Sequence, residues 1–541
     1  MCGILAVIGN RPPEEVQRLS KRMSHRGPDE SGMHVSPFGA VICHERLSII
    51  DLTTGRQPIQ GTTNAYVMHN GEIYNHNELR QGELKHHTFR TTCDSEVIVH
   101  LYEEYGYDFC NKLRGIYGFV LVDDDNGKYM VARDPIGIKP LYYGKDAKNN
   151  MYFSSEMKSI ADQCVDFEAF PPGHYYTPET GLVKYYNPTW QDYTTATTPI
   201  DYNQLRDALI DSTKVRLMSD VPLAVLLSGG LDSSLISSIT KRLLRGTKQE
   251  LHSFSVGLSS DAPDIKAARE VAKFIGTIHH EVIFSVEEGI KELEKIIWHL
   301  ESYDVTTIRA STPMYFLSKY ISDMGIKVVL SGEGADEVFG GYLYFHNSPS
   351  PEEFAKETVR RVNLLSTADC LRADKSTMAW GIEARVPFLD RRFLEVAMNI
   401  RPEDRMPNRS AGKMEKYVVR KAFDDKNDPF LPDSILWRQK EQFSDGVGYN
   451  WIDQIVEYCN SHVSDNEFAT AAERFPHNTP TTKEAFYFRT LFHKHYPQDT
   501  AAKTVLKWVP KWQTNDDPSG RVCDTHENKV DDVQKPKKAK V

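Results

Sequence analysis

Apolar and polar positions change their spacing part-way along the chain. In the first third, short apolar runs at 65–68, 118–122 and 128–132 are bounded by Asp, Asn and Gly, which is typical of strands joined by turns. Residues 95–105 instead place apolar side chains at helical spacing. This pattern predicts a β-rich N-terminal part with short helices.

The second half of the chain alternates helices and strands. Its strands are continuous apolar runs, which indicates burial on both faces and therefore a parallel sheet covered by helices. Between the two parts, 170–199 is rich in Pro, Gly, Tyr and Thr and is predicted to hold the domain junction. The elements predicted after it are helices at 205–217, 235–244 and 265–275, and strands at 223–227, 252–256 and 327–330.

Composition and charge narrow the class of protein. The 541 residues are 40% hydrophobic and 26% charged, which is ordinary for a globular protein with a large core. The net charge of −10 argues against nucleic acid or an anionic membrane as a partner. The longest apolar runs, such as 221–227, are far shorter than the roughly 20 residues of a membrane span. The polar, lysine-ended segment 513–541 is predicted to be a disordered tail rather than a nuclear address.

The eight cysteines are scattered and form no CxxC pair. This distribution predicts a reducing, cytosolic environment, and it argues against structural zinc because no two cysteines lie at ligand spacing. The first residues lack a charged segment followed by an apolar stretch, so no signal peptide is expected.

Cys2 is the first residue with a clear chemical possibility. Removal of Met1, which is usual before a small side chain, leaves Cys2 with a free α-amine. The ordinary pKa of such an amine, about 7.7–8.0, allows it to act as a general base beside the thiol. A nucleophile and a base on one residue form the arrangement of N-terminal nucleophile hydrolases. A cysteine at position 2 is more often incidental, so the neighbouring motifs decide its meaning.

Four further motifs follow Cys2 in order. They are 25–29 (HRGPD), 46–51 (RLSIID), 70–75 (NGEIYN) and 93–96 (CDSE). Together with 1–4 (MCGI) they resemble the glutaminase domain of class II glutamine amidotransferases. The resemblance implies an α+β N-terminal nucleophile hydrolase fold, with stacked antiparallel sheets between helices, over 2–186.

Each motif has a chemical interpretation in that setting. Attack of a thiolate on the glutamine amide forms an oxyanion, which the Asn70 side-chain N–H and the Gly71 backbone N–H would stabilise. Arg46 suits the α-carboxylate of glutamine, although alone it is as easily a surface ion pair. Asn70-Gly71 in isolation favours a type I′ hairpin turn. The resemblance implies a glutamine site made by Arg46, Leu47, Ser48, Ile49, Ile50, Asn70, Gly71, Glu72 and Asp94, while 25–29 is expected to order it.

Two glycine-rich segments follow buried strands in the second half. The first, 228–234 (SGGLDSS), opens a predicted helix, where backbone N–H groups and the helix dipole favour an anion. It lacks the Gly-Lys-Ser/Thr of a Walker A loop and resembles the pyrophosphate-binding loop of ATP pyrophosphatases. The second is 329–337 (VLSGEGADE). Carboxylates beside phosphates need a cation between them, so Asp232 and Asp336 are predicted Mg²⁺ ligands rather than helix caps.

Two further motifs are 304–311 (DVTTIRAS) and 438–446 (RQKEQFSDG). With them, the chain resembles the glutamine-hydrolysing asparagine synthetases over about 2–512. The resemblance implies an α/β ATP-pyrophosphatase domain at 205–512. Ala335 stands where that family more often has serine. The resemblance implies synthesis of asparagine from aspartate, ATP and glutamine through β-aspartyl-AMP, with Mg²⁺, and suggests homodimers. The resemblance implies that Cys2 is the nucleophile and that Glu333 supports formation of the intermediate. It implies that Thr306, Arg309 and Lys440 contact the phosphates and aspartate. The residues that it implies for ATP binding are Leu226, Ser228, Gly229, Gly230, Asp232, Ser233, Val256, Ser331 and Gly332.

Three other interpretations compete with this one. A β-lactam-forming synthetase shares the two-domain plan, but such relatives tend to lack the N-terminal cysteine. A phosphoribosylpyrophosphate or fructose-6-phosphate amidotransferase shares only the first domain, and 228–234 argues against both. A regulatory binding protein with a degenerate site is disfavoured by the intact Cys2, Asn70, Asp232 and Lys440.

Overall fold

The computed structural model describes residues 2–440, 446–448 and 450–512. The predicted tail, Met1 and part of the 438–446 motif lie outside this range. The N-terminal part contains two six-stranded antiparallel sheets, with strand orders β10-β8-β9-β1-β3-β2 and β12-β11-β7-β6-β5-β4. The strands are β1 Cys2–Ile8, β2 Glu30–Val35, β3 Ala40–Arg46, β4 Ile59–Gln60, β5 Ala65–Ile73, β6 Gly115–Asp123, β7 Lys128–Arg133, β8 Tyr142–Lys145, β9 Met151–Ser154, β10 Asp166–Ala169, β11 His174–Thr177 and β12 Gly181–Lys184.

The two sheets stack because each has an alternating apolar face. Ile4 of β1 packs in one core with Met68 of β5, and Val67, the neighbour of Met68, faces the helical layer instead. Leu5, the neighbour of Ile4, likewise packs with the first helix. The helices of this part are α1 Pro13–Ser20, α2 His76–Gln81 and α3 Glu96–Tyr105. This arrangement confirms the predicted stacked antiparallel sheets between helices.

The C-terminal part is built on a five-stranded parallel sheet with the order β15-β14-β13-β16-β17. Its strands are β13 Leu223–Leu226, β14 His252–Gly257, β15 Ile278–Ile283, β16 Val328–Leu330 and β17 Glu383–Arg385. Val225 faces one helical layer and Ala224 the other, as a sheet covered on both faces requires. The predicted α/β class is confirmed.

Helices surround this sheet and continue to the end of the described chain. They are α4 Tyr202–Val215, α5 Leu231–Leu243, α6 Pro263–Ile275, α7 Val286–Leu300, α8 Val305–Asp323, α9 Ala335–Phe339, α10 Pro351–Leu364, α11 Asp369–Met378, α12 Arg391–Met398, α13 Pro402–Arg405, α14 Tyr417–Ala422, α15 Asp433–Leu436, α16 Asn450–His462, α17 Asp465–Ala469, α18 Ala471–Arg474, α19 Lys483–His495 and α20 Asp499–Lys503. None of the helices described is long and apolar enough to cross a membrane.

Three expectations from the sequence need correction. Asn70 and Gly71 are not a turn, because they lie inside β5, which pairs with β6 along its whole length. The helix predicted to start near residue 235 begins at Leu231, so the last residues of the glycine-rich loop form its first turn. The predicted junction 170–199 begins too early, because β11 and β12 still belong to the second antiparallel sheet.

The two parts share a buried interface. Arg114, on the N-terminal side, lies 3.0 Å from Asp390, and Asp390 also contacts Arg216 at 2.8 Å. All three side chains are almost completely buried, so each charge depends on its partner. The strand ends that carry the candidate residues are therefore held in a fixed relation to one another.

Candidate active sites

Cys2 begins β1 and lies beside the middle of β5. Its backbone nitrogen donates a hydrogen bond to Asn70 Oδ1 at 2.9 Å, which joins the two stacked sheets at this point. Asn70 Nδ2 makes a long contact of 3.4 Å with Ser155 Oγ. A side-chain amide has two N–H groups, so one remains for an oxyanion beside Cys2. The structure thus brings the predicted nucleophile and the predicted oxyanion donor together.

Cys2 lies in a buried environment. The side chain is buried, and burial raises the pKa of its thiol, while Arg46 and the Leu47 backbone oppose the rise. A neutral thiol is therefore the resting form, and a base is needed to activate it. Arg26, which is fully buried, donates from Nε to the carbonyl oxygen of Cys2 at 3.0 Å. The role of the 25–29 motif in ordering the site stays a prediction, with which this contact agrees.

The predicted glutamine contacts lie at the adjoining strand ends. Arg46 Nη1 pairs with Glu30 at 2.6 Å, so its charge is already balanced. Asp94 accepts from the backbone nitrogen of Ile73 at 2.7 Å. Glu72 is buried 3.4 Å from Arg385, and burial raises the pKa of its carboxyl well above the ordinary value. Leu47, Ser48, Ile49 and Ile50 form the segment after β3, with Leu47 and Ile49 packed in the core that joins the two parts.

Gly71 allows the close approach of β5 to β6. Its φ is +141°, and a Cβ there would lie 1.8 Å from the carbonyl oxygen of Ile116. A side chain would push the backbone N–H away from Cys2, because the partner atom is main chain and has little freedom to move.

We expect Gly71→Ala to lower glutamine hydrolysis at least about a hundredfold, which corresponds to about 2.7 kcal/mol of transition-state stabilisation. Gly106→Ala is the matched control, since Gly106 also has a positive φ, +60°, but nothing within 4 Å of an added Cβ. Initial rates of glutamate release from both variants check this. Hydrolysis by Gly71→Ala at the rate of the control would contradict the steric argument.

The second candidate site is a cleft at the carboxyl ends of β13 and β16, which are neighbours in the parallel sheet. A cleft at this edge is where α/β sheets usually bind ligands. Gly332, after β16, packs so closely on the loop after β13 that a Cβ would lie 2.7 Å from the Ser233 nitrogen. The predicted nucleotide contacts that line the cleft are Leu226, Ser228, Gly230, Asp232, Ser233, Val256, Ser331 and Gly332. Gly229 supports the loop, since its carbonyl oxygen accepts from Arg438 at 3.1 Å.

Opposite charges are interleaved across this cleft. Lys416, which is 2% exposed, bridges Asp232 Oδ2 at 2.5 Å and Asp336 Oδ1 at 2.6 Å. Lys440 lies 3.0 Å from the other oxygen of Asp336. Burial opposes ionisation of Asp336, but the two lysines lower its pKa to about 2. Both predicted metal ligands thus contact the same lysine nitrogen.

Glu333 and Arg309 have different surroundings. Glu333 lines the cleft and lies 2.8 Å from Arg372. Burial raises the pKa of Glu333, although Arg372 opposes the rise. Thr306 and Lys440 also line the cleft. Arg309 is one turn of helix away from Thr306 and pairs with Glu484 at 2.7 Å, so the structure does not bring it to this lining.

Comparisons with known proteins identify the family of both parts of the chain. The family model described as a glutamine amidotransferase domain matches residues 1–179. The model described as asparagine synthase matches 204–354 and 346–516. Glutamine-hydrolysing asparagine synthetases of Zea mays and Arabidopsis thaliana are each 50% identical to the chain. The alignments cover 98% and 97% of this chain, and 95% and 94% of the relatives. The chain belongs to the glutamine-hydrolysing asparagine synthetase family.

Sequence reasoning missed several residues that this member of the asparagine synthetase family places in the cleft. Lys416 and Arg372 had no motif of their own, and each reaches the cleft from a helical segment far along the chain. Arg438 and Gln439 were noticed only as part of a motif, without a role. For Lys416, Arg372 and Arg438 the signal was charge alone, which is not distinctive in a chain with 65 lysines and arginines. The pairing with Asp232, Asp336 and Glu333 became visible only in three dimensions.

Proposed function

We propose that this protein makes asparagine from aspartate in two half-reactions, one in each part of the chain. The N-terminal part, 2–186, hydrolyses glutamine to glutamate and ammonia. The C-terminal part, 205–512, activates aspartate with ATP and transfers the ammonia to it, releasing AMP and pyrophosphate. The observation that carries the proposal is that a chain of this family has both the Cys2–Asn70 pair and a cleft lined by carboxylates and lysines.

In the first half-reaction, Cys2 acts as nucleophile and its own α-amine as base once Met1 is removed. Asn70 Oδ1 accepts from the Cys2 nitrogen and so fixes the amine relative to the thiol. Activation by an adjacent base is required because burial raises the pKa of the thiol. The remaining N–H of Asn70 and the backbone N–H of Gly71 would stabilise the oxyanion. Arg46, Glu72 and Asp94 would hold the substrate's charged α-groups.

In the second half-reaction, a carboxylate of aspartate attacks the α-phosphorus of ATP and pyrophosphate leaves. Lys416 and Lys440 would hold the departing phosphates, and the loop containing Ser228 and Ser233 would hold them from the opposite side. Thr306, which lines the cleft, would contact the acceptor. Glu333, whose carboxyl pKa is raised by burial, suits acceptance of the proton that ammonia loses as it forms the amide.

The residues of the cleft fit a divalent cation. Asp232 Oδ1 is buried and has no hydrogen-bond partner among the described residues. Carboxylate oxygens are the ligands that Mg²⁺ prefers. Asp232 and Asp336 would hold the ion, which neutralises phosphate charge when bound.

Ammonia must reach the acyl-adenylate before it meets bulk water and becomes ammonium. The wall behind Cys2 includes residues of the C-terminal part, because Arg26 contacts Asp374 at 2.8 Å and Glu72 faces Arg385. This arrangement supports an internal passage between the two sites.

The seven cysteines in the described ranges are all free, which supports a cytosolic location. We also propose a homodimer.

The test is incubation of the purified protein with Mg²⁺-ATP, aspartate and glutamine, with asparagine and AMP measured together. We expect equal amounts of asparagine and AMP, since each turnover cleaves one ATP between its α and β phosphates. Release of ADP, or glutamate without asparagine, would contradict the proposed acceptor and the proposed site of ATP cleavage.

A further inference from the structure

A group of histidines and glutamates lies on the outer layer of the N-terminal part and takes no part in either proposed half-reaction. We call it the histidine cluster: His86 and His87 from the segment after α2, and His100, Glu103 and Glu104 from α3. His87, His100 and Glu103 each offer a ligand atom within 4.8 Å of the other two. The side chains are largely buried, with exposures of 9%, 1% and 7%.

The two inner histidines point the same ring atom at one carboxylate oxygen. His100 Nδ1 lies 2.8 Å from Glu103 Oε2, and His87 Nδ1 lies 3.6 Å from the same oxygen. With metal–ligand distances of 2.0–2.2 Å, neighbouring ligands of a tetrahedral zinc ion are about 3.3 Å apart. The two observed distances lie on either side of that value, so only small shifts are needed to admit an ion.

His87, His100 and Glu103 each also have a second polar group beside them. His87 Nε2 donates to Glu104 at 2.9 Å, which leaves the Nδ1 lone pair directed at the cluster. His100 Nε2 faces Glu96 Oε1 at 3.4 Å. The second oxygen of Glu103 accepts from the nitrogen and the hydroxyl of Thr63 at 2.7 and 2.9 Å. Carboxylates behind ligating histidines, and hydrogen bonds to a ligating carboxylate, are the usual outer shell of a metal site.

We propose that His87 Nδ1, His100 Nδ1 and Glu103 Oε2 bind one divalent transition-metal ion of the zinc class, with water as the fourth ligand. Two imidazoles and a carboxylate are a common ligand set for zinc. On binding, the proton that His100 Nδ1 now shares with Glu103 leaves to solvent, and its Nε2–H faces Glu96. Cysteine spacing gives no sign of this site because it contains no cysteine.

The ion would tie the segment 82–92 to α3. That segment carries His87 and is held to α3 by Glu96, which accepts from the Thr91 nitrogen at 2.8 Å. It leads directly to Asp94, a predicted glutamine contact, whose carboxylate accepts from Ile73. Metal binding is therefore expected to order the approach to the glutamine site without touching the substrate.

The test is titration of chelator-treated, full-length protein with Zn²⁺ by calorimetry, in excess Mg²⁺ to occupy the ATP cleft. We expect one ion per chain, with affinity lowered at least about a hundredfold in His87→Ala and in Glu103→Gln. His86→Ala is the matched control, because His86 contacts Glu104 but lies outside the proposed ligand set. It should bind within about threefold of the wild type.

Two further readouts separate this site from others that attract zinc. X-ray absorption of the one-to-one complex should show nitrogen and oxygen ligands, whereas zinc on the Cys2 thiol would show sulfur. Amide exchange in 82–92 should slow about tenfold on adding Zn²⁺ to the wild type and stay unchanged in His87→Ala. Three results would each overturn the proposal. They are sulfur among the atoms that bind the zinc ion, zinc binding that survives both ligand substitutions, and a wild-type affinity for zinc that is no higher than that of His87→Ala.

Discussion

Cys2→Ala is expected to lower glutamine-dependent asparagine synthesis at least about 10⁴-fold while ammonia-dependent synthesis stays within about twofold of the wild type. The large loss follows because alanine has no thiol to attack the glutamine amide. The second activity survives because Cys2 does not line the cleft that holds the nucleotide residues. Parallel assays with glutamine and with ammonium chloride measure the two effects.

Cys43→Ala is the matched control for this substitution. Cys43 is equally buried and lies on β3, paired with Leu5 of the same β1 strand that carries Cys2. It therefore reports the cost of removing a buried thiol from this sheet without removing the nucleophile. If Cys2→Ala loses both activities equally while Cys43→Ala keeps both, the two sites do not act separately and the proposed division of labour is wrong.

Much of the fold could be predicted from apolar spacing. The continuous apolar runs at β13 and β16 predicted a parallel sheet because a strand that is buried on both faces has no polar side to alternate with. Asn70-Gly71 was harder, because its local preference is a turn, whereas in the structure pairing of β5 with β6 outweighs that preference. The helix that starts at Leu231 was placed four residues late, since Asp and Ser suit a helix's first turn as well as a loop.

The residues of the candidate sites also differ in how far the sequence could predict them. Cys2, Asn70 and the loop at Ser228 lie in contiguous motifs, so their chemistry could be inferred from neighbours along the chain. The histidine cluster and Lys416 depend on partners that are distant in sequence, as Lys416 does on Asp232. The predicted substrate contact of Arg309 stays a prediction: in the structure its guanidinium pairs with Glu484, a partner 175 residues away. Long-range ion pairs leave no periodic trace in a sequence.

The second large effect is expected at Lys416. Lys416→Met keeps the length of the side chain but leaves Asp232 and Asp336 facing each other without the cation between them. Removing one partner from a buried ion pair costs about 3–5 kcal/mol. Because the carboxylates then repel the phosphates of ATP, we expect kcat/KM for ATP to fall at least about a hundredfold.

Two controls distinguish this electrostatic role from general damage. Glutamine hydrolysis by Lys416→Met should be unchanged, since Lys416 lies in the other part of the chain. Lys421→Met removes a lysine from the following helix α14, where Lys421 is 41% exposed and pairs with Asp424. An exposed pair contributes little, so this variant should retain its ATP kinetics. Retention of ATP kcat/KM by Lys416→Met would show that Lys440 alone holds the phosphates.

The Mg²⁺ dependence of Lys416→Met distinguishes an electrostatic role from a structural one more directly. Lys416 Nζ contacts both carboxylates that we propose as metal ligands, so lysine and metal ion compete for the same oxygens. Without the lysine, the apparent affinity for Mg²⁺ should rise while the affinity for ATP falls. A merely structural role would weaken both together, because a distorted cleft loses its ligands and its phosphate contacts at once. Opposite shifts would therefore place Lys416 at the point where the ion and the phosphates meet.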